Sequence, residues 1–338
     1  MPRPERRGPA QPRRVEHPVT LHQSPEFGEI LLATAQSLGL PEAFVEKDYW
    51  VTYVLRALAD SPYREQLVFK GGTALSKAYG LVERFSEDVD LAIAGTEGWT
   101  GGQVKKLMDA GAKHITQGLT AVVEAGVTVR GSHFRKTLHQ FPAATAPTTG
   151  SQVRPGAVLL EVNAFARPYP SQWRPVQAYA GQFLTQRGEL RLVEQHGLAP
   201  FEVLVLALER TMVEKVLALV RAGYAPDPLA ELQAKIRHTY DLHQLLQQPA
   251  LQQFLASSAF ETMLAEVRAD DARNQEFQGD WAAQPLAEAL LFADADRTWR
   301  QLVPTYQGAF RQLVYGALPP ETSVQQTLTW IGRRLHGL

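Results

Sequence analysis

The sequence predicts an α+β fold in which a small mixed sheet flanked by helices is followed by an all-helical region. Two observations carry this prediction. Short apolar runs that alternate like strands, such as DVDLAIA at 88–94 and AVLLEVN at 157–163, lie before residue 198. From about Pro200 onward, apolar residues instead recur at helical spacing to the end of the chain.

Composition sets broad limits on the class of protein. The 338 residues suffice for two ordinary domains, and 45% hydrophobic with 20% charged residues predicts a packed core. The absence of cysteine excludes disulfides, thiol catalysis and cysteine-ligated zinc, and fits a reducing cytoplasm. The longest apolar run, 198–220, carries several charged residues, so we expect no membrane span. The first residues lack the apolar core of a signal peptide, so we expect a cytoplasmic protein.

Three regions are predicted along the chain. Residues 1–23 form a disordered tail in which five arginines face two glutamates within the first 16 residues. Such a tail is either simply solvated or a basic arm that touches nucleic acid, and the sequence leaves both readings open. Residues 24–198 form the α+β domain, and residues 199–338 form the helical domain.

The elements follow from periodicity and from breaks at glycine and proline. Helices are predicted where amphipathic spacing persists, at 24–39, 41–60, 73–80 and 101–126, and in the second half at 201–222, 228–247, 249–268, 284–292, 296–313 and 321–336. Strands are predicted where short apolar runs meet turn residues, at 67–69, 88–94, 127–131, 136–141 and 157–163.

The acidic pair in DVD is the first candidate site. Side chains two apart on a strand face the same way, so Asp88 and Asp90 are expected to project together. Two carboxylates on one face repel each other unless a cation lies between them, and Mg²⁺ prefers such oxygen ligands. Glu161 is the best candidate for a third acid that would complete a two-metal site. On its own, an Asp-x-Asp motif is more often a solvated strand edge than a metal site.

The double glycine upstream is the second candidate site. A strand followed by Gly71 and Gly72 lets the backbone approach a ligand, and the helix that follows favours an anion such as a triphosphate. Thr73 is a candidate cap or phosphate contact, and Lys77 lies one turn further on. A lone Gly-Gly is usually only a turn, but this order of turn, helix and acidic strand favours a nucleotide site. The Gly-x4-Gly-Lys-[Ser/Thr] spacing of a P-loop is absent.

The segment FKGGTALSKAYGLVERFSEDVDL (69–91) resembles the AbiEii/AbiGii toxin family of nucleotidyltransferases, within the DNA polymerase β-like nucleotidyltransferase superfamily. Three further segments are similar to that family: VEKDYWVTYVLRAL (45–58), ERTMVEKVLAL (209–219) and RHTYDL (237–242). The gap between Gly72 and Asp88 is longer than in the wider superfamily and matches the toxin subgroup. The likeness covers roughly residues 26–250 and implies a polymerase β-like domain at 24–198, with the helical domain closing its cleft.

The resemblance also implies roles for residues. Asp88 and Asp90 would hold magnesium, while the glycine turn, Thr73 and Lys77 would contact the phosphates. Lys215 and Asp241 match positions that are essential in the family. A polar stripe on the predicted helix 201–222 agrees with this, because a polar stripe on a buried helix must face water, a partner or a cleft. The alternative is a Lys215–Asp241 salt bridge that merely joins two helices.

Two weaker candidates remain. His238 and His243 are five residues apart and therefore on different helical faces, which argues against a zinc site. A basic cluster near a predicted hairpin is either a solvated edge or a surface for RNA backbone, and it contains Arg130, His133, Arg135, Lys136 and His139.

We therefore predict an enzyme that uses Mg²⁺ and a nucleoside triphosphate to transfer a nucleoside monophosphate. The resemblance implies a bacterial toxin of a toxin–antitoxin or phage-defence system, with RNA such as tRNA as the acceptor and a cognate antitoxin as partner. We expect a monomer. Two alternatives stay open. One is a catalytically inert nucleotide-binding sensor, and the other is transfer to a protein or small molecule.

Overall fold

The computed structural model describes residues 20–146, 154–165, 167–272, 277 and 279–337. Most of the predicted tail therefore lies outside the described residues. Leu21–Gln23, which were predicted to belong to the disordered tail, instead form a turn of 3-10 helix, and Leu21 is fully buried in the core. Among the described residues, no helix is both long and apolar enough to cross a membrane.

Within the described ranges, eight strands form one mixed sheet: β1 (Leu67–Lys70), β2 (Asp88–Ile93), β3 (Thr120–Val122), β4 (Val129–Arg130), β5 (Phe134–Gln140), β6 (Ala157–Asn163), β7 (Ser171–Val176) and β8 (Phe201–Leu206). Their order across the sheet is β3-β5-β6-β2-β1-β8-β7, and β4 also pairs with β5. At the centre, β2 runs antiparallel to β1 and parallel to β6. The predicted small mixed sheet is thus confirmed.

Among the described residues, helices flank the sheet and predominate after it. Those that accompany the sheet are α1 (Phe27–Leu38), α2 (Glu42–Ala59), α3 (Gly71–Lys77), α4 (Gly101–Ile115), α5 (Tyr179–Gln186) and α6 (Leu190–Gln195). The helical half, as we call the chain from residue 208 onward, contains α7 (Leu208–Gly223), α8 (Pro228–Ala234), α9 (Ile236–Leu245), α10 (Pro249–Ala256), α11 (Ser258–Ala272), α12 (Leu290–Ala293), α13 (Ala295–Gln307) and α14 (Glu321–His336).

Alternation along β2 explains how one strand serves both core and cleft. Val89, Leu91 and Ile93 are buried in a core formed by the sheet with α1, α2 and α4. Asp88 and Asp90 point to the opposite face, because successive side chains alternate on a strand. A second apolar core lies within the helical half, and Leu75 of α3 reaches into it. The short helix after the glycine turn therefore contacts both cores.

Three consecutive charged residues of α2 are buried and hold loops around the sheet. The Glu46 carboxylate accepts from the backbone N–H groups of 144 and 145. The Lys47 ammonium pairs with Glu87 at 2.9 Å and donates to the carbonyl of Ala157. The Asp48 carboxylate binds Lys77 at 2.6 Å. The three charged residues of the VEKDYW segment therefore have a structural role, besides the family likeness noted from the sequence, since each buried charge has a partner.

Two predicted elements are corrected by the structure. Residues 201–206, predicted as the start of a helix, form β8, which pairs with β1 and β7. Alternating Val203 and Val205 are buried there, and β-branched residues suit a strand once neighbours exist on both sides. The helix predicted at 101–126 ends at Ile115, because Gly118 adopts a left-handed φ of 86° and the chain then enters β3.

Candidate active site

The centre of the sheet carries a row of four charged side chains. Asp90 on β2 is in register with Lys70 on β1 and with Glu161 on β6. Glu161 is in register with Lys136 on β5, and the Lys136 ammonium lies 2.5 Å from the Glu161 carboxylate. Residues in register on neighbouring strands project to the same face, so these side chains form one line, which we call the charged row. Asp88 lies on the same face, two residues before Asp90.

Burial and neighbouring negative charge both raise the pKa values of the acidic pair, Asp88 and Asp90. Burial, followed by the negative charges of Glu87 and Glu161, raises the pKa of Asp88 to about 6. Burial and the charges of Glu161 and Asp88 raise the pKa of Asp90 well above its ordinary value. Both shifts mean that ionised carboxylates at these positions are short of positive charge, which a bound cation would supply.

A cleft of about 460 Å³ opens between the charged row and the helical half. Asp90, Glu161 and Gly71 lie on its sheet side. Lys215 of α7 and His238 of α9 lie on its helical side. Residues far apart in the sequence therefore meet in one cavity, and a ligand that enters it contacts both halves of the chain.

The double glycine is required by close approach on both sides. Gly71 has φ of 80°, and a Cβ there would lie 2.1 Å from Oδ2 of Asp90. A Cβ on Gly72 would lie 2.2 Å from Nη2 of Arg84. The turn is therefore pressed between a carboxylate of the candidate metal site and a buried guanidinium. A side chain at either position would displace these groups.

Replacing Gly71 with alanine should lower transfer activity by about 10²-fold, because the added methyl group must push the Asp90 carboxylate aside. The left-handed backbone adds a strain of about 1–2 kcal/mol. Steady-state transfer rates and thermal midpoints check both effects.

Gly80→Ala is the matched control for this substitution. Gly80 also has a left-handed φ of 63°, but a Cβ there meets nothing within 4 Å. It should therefore lose stability by a similar amount and keep its activity. Equal activity losses in the two variants would show that the contact with Asp90 is unimportant.

Asp241 joins two buried cations, Arg84 and Lys215, and of these three residues only Lys215 lines the cleft. Its carboxylate accepts two hydrogen bonds from the Arg84 guanidinium, at 2.6 and 2.7 Å, and pairs with the Lys215 ammonium at 2.7 Å. Asp241 is completely buried, and the charges of Arg84 and Lys215 hold the pKa of its carboxyl far below its usual range. The salt bridge considered from the sequence is present, and it includes a third member, Arg84.

Lys77 and Thr73 lie beside the cleft rather than in it. The Lys77 ammonium binds Asp48 at 2.6 Å and the carbonyl of Gln177 at 2.9 Å. The Thr73 hydroxyl donates to Ser86 at 2.8 Å. Both residues line a small polar cavity of about 10 Å³. Gly71 alone of the four predicted phosphate contacts lines the cleft, and the phosphate-binding roles of all four stay predictions.

Sequence reasoning missed two residues that line the cleft, Lys70 and His238, and one buried residue outside its lining, Arg84. Lys70 pairs with Glu214 of α7 at 2.5 Å and so links the charged row to the helical half. Arg84 lies inside the signature segment, where an arginine among acidic residues was a signal that went unused. His238 was considered only for zinc. Burial lowers its pKa well below the usual value, and its Nδ1 atom makes no hydrogen bond within the described part of the chain.

Some members of the basic cluster near β5 are paired or buried within the protein. Arg135 pairs with Asp109, Lys136 pairs with Glu161, and His139 is buried with its pKa lowered to about 4 by burial. Arg130 and His133 stay exposed. His243 contacts Thr327 instead of His238.

A solved structure with the same class of fold is MenT4, a nucleotidyltransferase toxin from Mycobacterium tuberculosis. The two chains are 20% identical, each is covered to 89%, and the TM-score is 0.50. At this identity the likeness shows a shared fold. A comparison with curated protein sequences gives no match.

The sequence model of one protein family matches residues 53–324, well over half of the chain, and that family is described as "Nucleotidyl transferase AbiEii toxin, Type IV TA system". The protein therefore belongs to the AbiEii family of nucleotidyltransferase toxins, and its class is an enzyme of a toxin–antitoxin system. The resemblance stated from the signature segment is confirmed.

Proposed function

We propose that the protein transfers a nucleoside monophosphate from a nucleoside triphosphate to RNA, with tRNA as the first acceptor to test, in a reaction that depends on Mg²⁺. One observation carries this proposal: Asp90 and Glu161 lie in register beside Gly71 in a cleft whose other wall supplies Lys215. Such a cleft offers acidic ligands for a cation, a bare backbone for phosphates and a fixed positive charge.

The residues present fit a magnesium ion. Among the residues that the structure describes, no three His, Asp or Glu side chains form a ready-made metal cluster. Mg²⁺ needs none, because it is commonly held by one or two carboxylates with water and substrate phosphates completing its shell. We propose Asp88 and Asp90 as its protein ligands, with Glu161 as the third. When bound, the ion supplies positive charge to the reacting phosphate.

The protein's own groups would bind and orient the triphosphate. The turn at Gly71 and Gly72 lets the phosphates approach the backbone, and Thr73 and Lys77 follow along the same helix. Contact between Lys77 and a phosphate would require its ammonium to exchange Asp48 for the ligand. Lys215, held by Asp241, would stabilise charge that develops as pyrophosphate leaves.

RNA is proposed as the acceptor because two exposed groups that can contact a phosphate backbone, the Arg130 guanidinium and the His133 imidazole, lie on the hairpin next to the charged row. We propose a monomer that acts in the cytoplasm and is controlled by a cognate antitoxin. A role in phage defence would follow if the antitoxin is inactivated on infection.

Incubation with each α-labelled nucleoside triphosphate, Mg²⁺ and total bacterial RNA tests this function. We expect label from one triphosphate to appear on RNA of tRNA size, and EDTA to prevent it. Label on protein or on a small molecule would contradict the RNA acceptor. Binding without transfer to any species would contradict catalysis in favour of a sensor. Asp88→Ala protein is the matched inactive control.

A further inference from the structure

The cleft contains an uncharged end whose residues the proposed reaction does not use. Phe134 on β5 is in register with Asn163 on β6, and Phe165 follows two residues later. All three line the cleft that contains Asp90 and Glu161. Because Asn163 is two residues beyond Glu161 on one strand, this end lies about 7 Å from the charged row along the sheet.

The two rings form a pair that stands outside the apolar cores. Their centroids are 6.0 Å apart and their planes are inclined by 23°, so they are stacked. Both are half-buried, and neither belongs to the apolar clusters found in the described part of the chain. Aromatic faces that are left at the edge of a polar cleft are suited to stacking with a flat, weakly polar ligand group.

Asn163 supplies hydrogen-bonding groups at the same end. Its side-chain amide has two N–H donors and one acceptor oxygen. Within the residues that the structure describes, this amide is in no hydrogen bond. An amide of this kind matches the mixed donors and acceptors at the edge of a nucleobase.

We propose that Phe134, Phe165 and Asn163 form a subsite for the base of the nucleoside triphosphate, with a base stacked on the rings and its edge bonded to Asn163. The inference rests on the proposed function. It follows from the order of groups along one wall: the glycine turn and charged row hold the phosphates, and the uncharged end is one strand repeat away. A phosphate is disfavoured there because the three residues carry no positive charge.

Equilibrium binding in the presence of Mg²⁺ tests this subsite. The probes are the four nucleoside triphosphates, as analogues that cannot be cleaved between the α and β phosphates, and inorganic tripolyphosphate, which has no base. Phe165→Ala and Asn163→Ala should each weaken binding of the preferred triphosphate at least about fivefold, and up to about 100-fold for the ring. Binding of tripolyphosphate should stay unchanged. Asn163→Ala should also reduce the difference in affinity among the four bases.

Controls separate failure of the subsite from failure of the function. Trp330→Ala removes a partly exposed ring on α14, away from the cleft, and should change nothing. If Phe165→Ala does not fold, Phe165→Leu keeps an apolar side chain without the aromatic face. The subsite would be overturned if the substitutions weaken binding of tripolyphosphate and of the triphosphate equally, or leave binding of the triphosphate unchanged. It would also be overturned if they change only the KM for the RNA acceptor. If the wild-type protein binds neither probe, the proposed function fails as well.

Discussion

Asparagine in place of Asp90 should abolish nucleotide transfer, by about 10³-fold or more, while the protein stays folded with a thermal midpoint equal to or above that of the wild type. The loss of activity follows from removing a carboxylate whose charge holds the metal, since such a contact is worth several kcal/mol in the transition state. Stability should not fall, because burial and like charge raise the pKa of Asp90. Ionising this group in the folded state costs free energy at neutral pH, and the asparagine avoids that cost.

The pH dependence of stability provides a second check on this prediction. Without added metal, the wild-type thermal midpoint should fall as the pH rises through the raised pKa of Asp88, about 6, and that of Asp90. Asp90→Asn should show a weaker fall. Asp60→Asn, on the exposed end of α2, is the control and should match the wild type in activity and midpoint. A strongly destabilised Asp90→Asn would instead mark Asp90 as a structural residue.

Asparagine in place of Asp241 should both inactivate and destabilise the protein. Arg84 and Lys215 are buried with Asp241, and its carboxylate is their shared partner. Removing one charge from such a set leaves the others uncompensated, which costs about 3–5 kcal/mol. We therefore expect the thermal midpoint to fall by roughly 10 °C. The wild-type pairing should persist under mild acid, because the pKa of Asp241 is depressed and its contribution is lost only as pH falls through that value.

Lys215→Met separates the catalytic and structural parts of this cluster. It removes the cation that lines the cleft and leaves both Arg84–Asp241 hydrogen bonds in place. Activity should fall by about 10²-fold or more, with a smaller loss of thermal midpoint than for Asp241→Asn. A Lys215→Met protein that is fully active would show that the cluster only joins the two halves of the chain.

The parts of the site that the sequence predicted are those set by local spacing. Alternation in DVDLAIA placed Asp88 and Asp90 on one face, and alternation in AVLLEVN placed Glu161 away from its apolar neighbours. The structure adds that Asp90 and Glu161 are in register on parallel neighbouring strands. The double glycine was predicted to let the backbone approach a ligand. The structure shows a different close approach, that of Gly71 to Asp90, and the approach to a ligand stays a prediction.

The parts that could not be predicted depend on partners distant in sequence. Lys77 has the spacing of a phosphate contact, but its present partner, Asp48, lies 29 residues away on α2. Arg84 is fixed by Asp241, 157 residues further on. The strand at 201–206 looks helical when read with the helix that follows, and only pairing with β1 and β7 makes it a strand. Strand register and ion pairing are properties of the tertiary structure, and a single sequence contains no direct signal for them.

The central claim is that the charged row is the nucleotide–metal site, and a metal titration tests it most directly. Mn²⁺, as a spectroscopic substitute for Mg²⁺, is titrated into wild-type and Asp90→Asn protein in the presence of an uncleavable triphosphate. Free Mn²⁺ is followed by electron paramagnetic resonance. We predict that the wild-type protein binds Mn²⁺ together with the triphosphate and that Asp90→Asn loses this binding while remaining folded. Equal Mn²⁺ binding by both proteins, or none by the wild type, would contradict the assignment of the charged row as the nucleotide–metal site.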